Sequence, residues 1–243
     1  MKKDKLNEFI NKYTLGGNII ITSWVTNDKG ELSTCFLSPD QSLIGNIVMQ
    51  ESPLEESELG IMDSTKLKQL LTVLEDDVEL EVVKNEEDEN IALELEDQTN
   101  SVSLMLANMS AVPKTPKLRK LPKFDLQIEF DEALSKKFIK AKNALADTET
   151  FSLVEDDGEL KLVIGYTENT TSNKASLSIT PKKKTKLDKV ISFSAKYLKE
   201  ILIANSEFKT AVLNISAEGL SKIEFEKDTI KSEYYLIEVP SIA

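Results

Sequence analysis

Hydrophobic residues recur along the chain with two different periods. Four segments show the three-to-four-residue spacing of an amphipathic helix, at 2–13, 65–74, 131–145 and 195–205. Between them apolar and polar residues alternate, as in antiparallel strands with one buried and one solvated face. The predicted strands are 18–25, 31–38, 44–49, 77–83, 90–96, 101–107, 126–130, 150–154, 159–166, 174–180, 190–193, 208–216, 220–226 and 230–239, whereas the acidic segment 50–59 predicts a loop.

The order of these elements is repeated along the chain. A single offset of 131 residues places 67–71 on 198–202, 44–49 on 175–180 and 101–107 on 232–238 without a gap. The same offset aligns Asp63 with Ser194, and both are good helix N-caps, although Ser64 is an alternative cap in the first copy. The repeat predicts an α+β fold of two similar domains, 1–112 and 125–243, each with two helices packed on antiparallel sheets.

Residues 113–124 form the predicted connector between the two domains. The connector holds three of the seven prolines, so neither a helix nor a central strand can run through it. Leu118 and Leu121 lie among its charged residues, which predicts that the connector follows a protein surface. A plain solvated linker is the alternative.

Residue types that are missing from the sequence exclude several kinds of catalytic and metal site. The chain has no histidine and one cysteine, Cys35, so histidine-dependent catalysis, an internal disulfide and a cysteine-rich zinc site are all excluded. Neither of the common glycine-rich phosphate cradles is present. We therefore expect no enzyme activity and no cofactor, although a site built from carboxylates alone stays open. The single cysteine fits a reducing compartment such as the cytoplasm, and no apolar run is long enough to span a membrane.

The net charge of −12 is distributed unevenly. Residues 1–112 carry 8 lysines and 22 acidic residues, whereas the remainder is close to neutral. The predicted helices nevertheless carry lysines on their exposed faces, namely Lys5, Lys12, Lys66, Lys68, Lys136, Lys140, Lys196 and Lys199. These lysines are either ordinary solvated helix residues or one concave surface that contacts phosphates without reading sequence. The role of the basic loop from Lys182 to Lys186 is left open.

The last predicted strand leads into an apolar tail that contains Pro240. One interpretation is an ordinary terminal strand. The other is that Tyr235, Ile237 and Pro240 join Leu118 and Leu121 to form an apolar groove for a partner peptide.

The whole chain resembles the DNA sliding clamps, specifically the two-domain kind that includes PCNA and the clamps of T4-like bacteriophages. The resemblance rests on two halves of similar length, a proline-bearing connector and lysine-bearing helices within each half. The segments 193–202 and 234–240 are similar to the second domain of PCNA-type clamps. Because the similarity to cellular PCNA is low, a viral clamp in the host cytoplasm is favoured.

The resemblance implies a ring-shaped homotrimer with helices inside and sheets outside. Residues 101–107 of one subunit would pair with 174–180 of the next. The ring would encircle duplex DNA with the eight lysines lining the bore and would tether a DNA polymerase through the groove. It would act as a processivity factor in replication and would need an ATP-dependent clamp loader. A non-DNA interaction scaffold made by duplicating a sheet domain is the alternative hypothesis.

Overall fold

A computed structural model describes residues 1–116, 118, 120–156, 158–167, 172–182 and 189–239. The helices within these residues are α1 (Lys3–Thr14), α2 (Ser64–Leu71), α3 (Glu132–Ala144) and α4 (Ala195–Ala204). The strands are β1 (Thr22–Thr26), β2 (Leu32–Leu37), β3 (Leu43–Met49), β4 (Ser57–Ile61), β5 (Glu79–Lys84), β6 (Asn90–Glu96), β7 (Ser101–Met105), β8 (Leu126–Asp131), β9 (Thr150–Asp156), β10 (Glu159–Ile164), β11 (Ala175–Ile179), β12 (Ile191–Ser194), β13 (Thr210–Ile215), β14 (Leu220–Lys227) and β15 (Ile230–Ile237). None of the helices in this part of the chain is both long and apolar enough to cross a membrane.

The element order confirms the predicted α+β duplication. The first copy runs α1, β1–β4, α2 and β5–β7, and the second copy runs α3, β9–β12, α4 and β13–β15, preceded by β8. The sheet orders also match, because β4-β1-β2-β3 corresponds to β12-β9-β10-β11 and β5-β6-β7 corresponds to β13-β14-β15. At the offset of 131 residues, the positions of β8 correspond to positions before Met1.

The chain divides into two compact units that exchange short segments. The first unit contains residues 1–38, 45–116 and 226–232, and the second contains residues 39–44, 117–225 and 233–243. The contiguous domain limits predicted from the sequence, 1–112 and 125–243 around a connector at 113–124, therefore stay a prediction.

In each unit the exchanged segment brings β3 and β15 together as sheet neighbours. In the first unit the backbone N–H of Gln50 donates to the carbonyl of Thr229 at 2.8 Å. In the second unit the backbone N–H of Ile237 donates to the carbonyl of Ser42 at 2.9 Å. In an antiparallel pair the numbers of opposed residues have a constant sum. The two pairs here have the same sum, so both bonds belong to one uninterrupted register.

Aromatic side chains hold the helices to the sheets in both units. In the first unit the rings of Phe9 and Trp24 meet edge to face at 5.6 Å, and both side chains are fully buried. In the second unit the ring of Phe138 on α3 meets that of Phe151 on β9 at the same distance. Such pairs add to the burial of apolar surface that fixes each helix on its sheet.

The N-terminal caps of the second helix in each copy confirm the pattern that aligned the repeat. The carboxylate of Asp63 accepts the backbone N–H of Lys66 at 2.8 Å, which makes Asp63 the side-chain cap of α2. Ser194 caps α4 by accepting the backbone N–H of Tyr197 at 3.3 Å. The hydroxyl of Ser64 instead donates to the carbonyl of Ile20.

The predicted loop at 50–59 is wrong at its end, where the strand β4 begins at Ser57. This strand pairs antiparallel with β1 along its whole length, and Leu59 is buried directly opposite Trp24. The acidic residues before Ser57 hide the strand in the sequence, since its apolar alternation covers only a few positions. Pairing with β1 supplies the stabilisation that local propensity lacks.

Backbone hydrogen bonds to the carboxylate of Asp97 connect the turn between β6 and β7 to the segment that follows α2. Its carboxylate accepts the backbone N–H groups of Glu75 at 2.6 Å and of Thr99 and Asn100 at 2.7 Å. These bonds, that from Glu75 first, favour the charged form and lower the pKa of Asp97 below its ordinary value of 3.8.

Replacing Asp97 with Asn should lower the midpoint of urea unfolding near neutral pH, because the amide cannot accept all three N–H groups. A carboxyl whose pKa is depressed by folding stabilises above its unfolded pKa, and this contribution is lost as the pH falls through the folded value. The difference between wild type and Asp97→Asn should therefore narrow as the pH drops below about 4. Asp28→Asn, at an exposed turn, is the control. A difference that does not change with pH would contradict a role for the charge.

Candidate functional site

The lysines of the first unit have four different environments. Lys66 is exposed on α2, and Lys68 is half-buried beside a hollow of about 330 Å³ between the end of α1 and α2. The ammonium of Lys5 lies 3.1 Å from the carboxylate of Glu51. Lys12 is only 2% exposed, and its ammonium lies 3.4 Å from Glu8, so its predicted position on the exposed face of α1 is wrong. The periodicity of α1 did not reveal this, because the neighbouring elements decide which polar positions are covered.

Three of the four predicted lysines of the second unit are exposed. Lys136 is exposed and forms an ion pair with Glu132 one turn earlier on α3. Lys140 is exposed on the same helix, and Lys196 is exposed on α4 with its ammonium 5.4 Å from the ring centre of Tyr197.

Lys199 joins the two helices of the second unit. Its ammonium donates to the side-chain oxygen of Asn143 on α3 at 3.2 Å and lies 3.0 Å from the carboxylate of Glu200. Sequence reasoning missed a neighbouring cation, Lys142, which is buried and donates to the carbonyl of Ala146 at 2.8 Å, just after α3. Burial lowers the pKa of Lys142, and the ammonium groups of Lys199 and Lys196 lower it further. These three cations form a cluster that also contains carboxylates, since Asp147 and Glu149 raise the pKa of Lys142 and Glu200 pairs with Lys199.

Half of the eight predicted lysines are paired with a carboxylate of their own unit. The pairs are Lys5–Glu51, Lys12–Glu8, Lys136–Glu132 and Lys199–Glu200. For Lys66, Lys68, Lys140 and Lys196, no ion pair is found within the part of the chain that the structure describes. These four side chains are the ones whose charge is available to an external anion at no cost in broken ion pairs.

The residues of the predicted groove that the structure describes all belong to the second unit. Leu118 and Leu121 are 40% and 39% exposed, so both leave apolar surface accessible to a partner. Tyr235 and Ile237 lie two residues apart on β15 and therefore point to the same face of the strand. Pro240 and most of the basic loop from Lys182 to Lys186 lie outside the described residues.

Polar residues surround the ring of Tyr235. The ammonium of Lys222 lies 5.9 Å from the ring centre and 3.2 Å from the carboxylate of Glu233. Burial raises the pKa of the Tyr235 hydroxyl, and Glu233 raises it further. Tyr235 is only 8% exposed, so most of its ring is covered within the single chain.

The connector is held to the first unit before it reaches Leu118. The hydroxyl of Thr115 donates to the backbone carbonyl of Cys35 on β2 at 3.0 Å. Among the described residues, no group of three or more cysteine, aspartate or glutamate side chains is placed to hold a metal ion.

Comparison with solved structures shows which fold this arrangement belongs to. The chain matches the A. fulgidus PCNA bound to the C-terminal region of FEN-1 with a TM-score of 0.72 and 14% identity, over 100% of this chain and 98% of that chain. It matches the Proliferating Cellular Nuclear Antigen from Entamoeba histolytica with a TM-score of 0.70 and 15% identity, over 98% and 96%. No protein-family model and no curated protein sequence matches the chain. The chain therefore has the fold of the PCNA-like sliding clamps.

Proposed function

We propose that this protein is a sliding clamp, a ring-shaped homotrimer that encircles duplex DNA and tethers a DNA polymerase as a processivity factor. The observation that carries the proposal is the match of the whole chain, with both halves in order, to PCNA structures. The clamp would have no catalytic activity and would need an ATP-dependent loader. A viral clamp working in the host cytoplasm stays the predicted setting.

The duplicated sheets support ring assembly, because they leave a complementary pair of edges. Within the chain β3 and β15 are neighbours, and their repeat counterparts are β11 and β7. Both β11 and β7 are edge strands of their sheets. If β7 of one copy pairs with β11 of the next as β15 pairs with β3, both edges are covered by a head-to-tail contact that can close into a ring.

The internal pairing also fixes the register of this proposed contact. Shifting the Gln50–Thr229 and Ser42–Ile237 pairs by the repeat offset of 131 places Ser103 on β7 directly opposite Ser176 on β11. By the alternation of the ladder this is a pair without mutual backbone hydrogen bonds, whose Cα atoms lie about 4.5 Å apart. Both serines are exposed in the single chain.

The lysines support the contact with DNA. The four lysines without an ion pair, together with the cluster around Lys199, supply positive charge in both units of a net acidic chain. Lysine contacts to phosphate carry no sequence information, so a ring held this way can move along the duplex.

The exposed leucines of the connector support the binding of a partner. The FEN-1 complex with A. fulgidus PCNA indicates that this fold can present a site for a terminal segment of another protein. In this chain we assign that site to Leu118, Leu121, Tyr235, Ile237 and Pro240, and we propose that a polymerase segment occupies it.

Cysteine pairing tests the ring and its register. In a Cys35→Ser background, Ser103→Cys with Ser176→Cys should cross-link under mild oxidation into covalent trimers near three times 27.2 kDa, about 82 kDa, because opposed residues of such pairs suit disulfide geometry. The control Ser103→Cys with Leu177→Cys places the two thiols on opposite faces and should cross-link poorly. Equal cross-linking of both variants, or dimers alone, would contradict the proposed ring.

The cross-linked ring also tests encirclement of DNA. Rings closed by oxidation in the presence of circular duplex DNA should remain on it in high salt and leave when the DNA is linearised. Covalent trimers that never become trapped on circular DNA would favour the non-DNA scaffold instead.

Charge reversal at Lys140 and Lys196 should weaken binding to duplex DNA and reduce its salt dependence. Each lost phosphate contact lowers the slope of log affinity against log salt by about 0.9. Lys227→Glu with Lys231→Glu, at exposed positions on β14 and β15, makes the same charge change away from the helices and is the control. The assignment is wrong if both double variants lose the same affinity, as measured by fluorescence anisotropy over a salt series.

Leu118→Ala with Leu121→Ala should leave the trimer intact and weaken retention of the polymerase by the immobilised protein. Truncating exposed side chains costs little folding stability but removes apolar anchors for the partner. Val73→Ala with Ile203→Ala removes similarly exposed apolar groups elsewhere and should have no such effect. Loss of the trimer in the leucine variant would assign the connector a structural role instead.

A further inference from the structure

Within the residues that the structure describes, one edge of β5 has no partner strand. It pairs with β6 on one side and stands at the end of the order β5-β6-β7. Its repeat counterpart, β13, is paired on both sides, with β14 and with β8. The open edge of β5 therefore corresponds to the edge of β13 that β8 covers in the second unit.

The register shows where a strand added to this edge would lie. The bridge between Lys2 and Asp77 becomes Ala133 and Phe208 when shifted by 131 residues, and this pair continues the β8–β13 register in which Asp131 faces Thr210. In the first unit the pairing extends through Met1, which exchanges two backbone hydrogen bonds with Val78 at 2.6 and 2.9 Å. The six positions of β5, Glu79–Lys84, correspond to the six positions that β8 covers.

A cleft occupies the corresponding place in the first unit. It has a volume of about 430 Å³, within the range of ligand pockets, and lies between β5 and the segment 53–57. In the second unit β8 is also bounded on its far side, where the backbone N–H of Lys182 donates to the carbonyl of Gln127 at 2.9 Å. Lys182 is the repeat counterpart of Glu51, which lies two residues before the segment that bounds the cleft.

Apolar side chains that β8 buries in the second unit are left half-exposed in the first. Leu80 and Val82 on β5 are half-buried, whereas their counterparts Ala211 and Leu213 are buried opposite Phe130 and Ile128 of β8. An added strand with apolar residues at alternate positions would cover them.

The other face of β5 is acidic and would attract positively charged side chains. Glu79 lies directly opposite Glu96 on β6, and Glu81 lies directly opposite Glu94. Like charges in such cross-strand positions are destabilising, and neighbouring cations would relieve the repulsion. The cleft itself is lined by the carboxylates of Glu55, Glu56 and Asp88 and by Lys84, which forms an ion pair with Asp88.

We propose that the open edge of β5 is a strand-addition site for an extended segment of a partner protein in which apolar and basic residues alternate. The partner's backbone pairs with Glu79–Lys84 in the manner of β8, its apolar residues fill the cleft beside Leu80 and Val82, and its basic residues lie beside Glu79 and Glu81. This site is separate from the connector groove and does not depend on DNA binding.

The probe is an end-capped, fluorescently labelled peptide, Lys-Leu-Lys-Ile-Lys-Phe-Lys, which is the sequence 125–131 with its polar positions changed to lysine. It should bind with one site per chain, and hydrogen exchange should slow at residues 79–84. Glu79→Lys with Glu81→Lys should weaken binding by about tenfold or more, since two attractions become repulsions. Glu159→Lys with Glu218→Lys, at exposed positions in the second unit, is the matched control and should change the affinity much less.

A peptide of the same sequence with alternate backbone nitrogens methylated separates strand addition from general attraction to an acidic surface. N-methylation on the edge that faces β5 removes the N–H donors, so this peptide should not bind. The proposal is overturned if the methylated peptide binds equally well, if the unmodified peptide fails to bind, or if protection appears at β7, at β11 or at the connector instead of at β5.

Discussion

The need to pair the edges of its strands governs this structure. A strand edge exposes backbone N–H and C=O groups that attract any other extended chain, so each edge must be covered, shortened or charged. Duplication of one sheet unit produced matching sets of edges, and the chain covers two of them itself, with β15 beside β3 and β8 beside β13. The strands that correspond to β15, β3 and β13 are β7, β11 and β5, and within the described residues each of them has an open edge. Assembly and recruitment of partners would then follow from the same constraint.

The positive charges of the helices are also partly paired within the chain. Four of the lysines proposed to contact DNA already pair with a carboxylate of their own unit. In the pairs of Lys5, Lys12 and Lys199, the ammonium nitrogen lies 3.0 to 3.4 Å from the carboxylate oxygen. A phosphate that binds such a lysine competes with the carboxylate, and because exposed ion pairs are weak this exchange costs little. A ring that must move along DNA benefits from many weak and exchangeable contacts, and the acidic first half of the sequence is consistent with this arrangement.

The sequence predicts those features that depend on periodicity and on local chemistry. The helix caps Asp63 and Ser194 and the 131-residue offset identify the duplicated fold, because capping and alternation are local properties. The burial of Lys12 and the strand β4 could not be predicted, since neighbouring elements decide both. The groove is an intermediate case: the exposure of Leu118 and Leu121 agrees with their mixture with charged residues, whereas their relation to Tyr235 depends on how the chain returns to β15.

The acidic character of β5 explains why its open edge does not cause uncontrolled association. Two copies of β5 would bring Glu79 and Glu81 of one chain beside the same residues of the other, and this repulsion adds to that already present opposite Glu94 and Glu96. Self-pairing through this edge is therefore disfavoured, while a basic strand is attracted. By contrast, β7 carries serines and the 69% exposed Met105 on its outward face, and no charge there opposes pairing with another copy. In the proposed assembly, the side chains of the two edges would separate contact between copies from contact with a different, basic partner, although the backbone chemistry at both edges is the same.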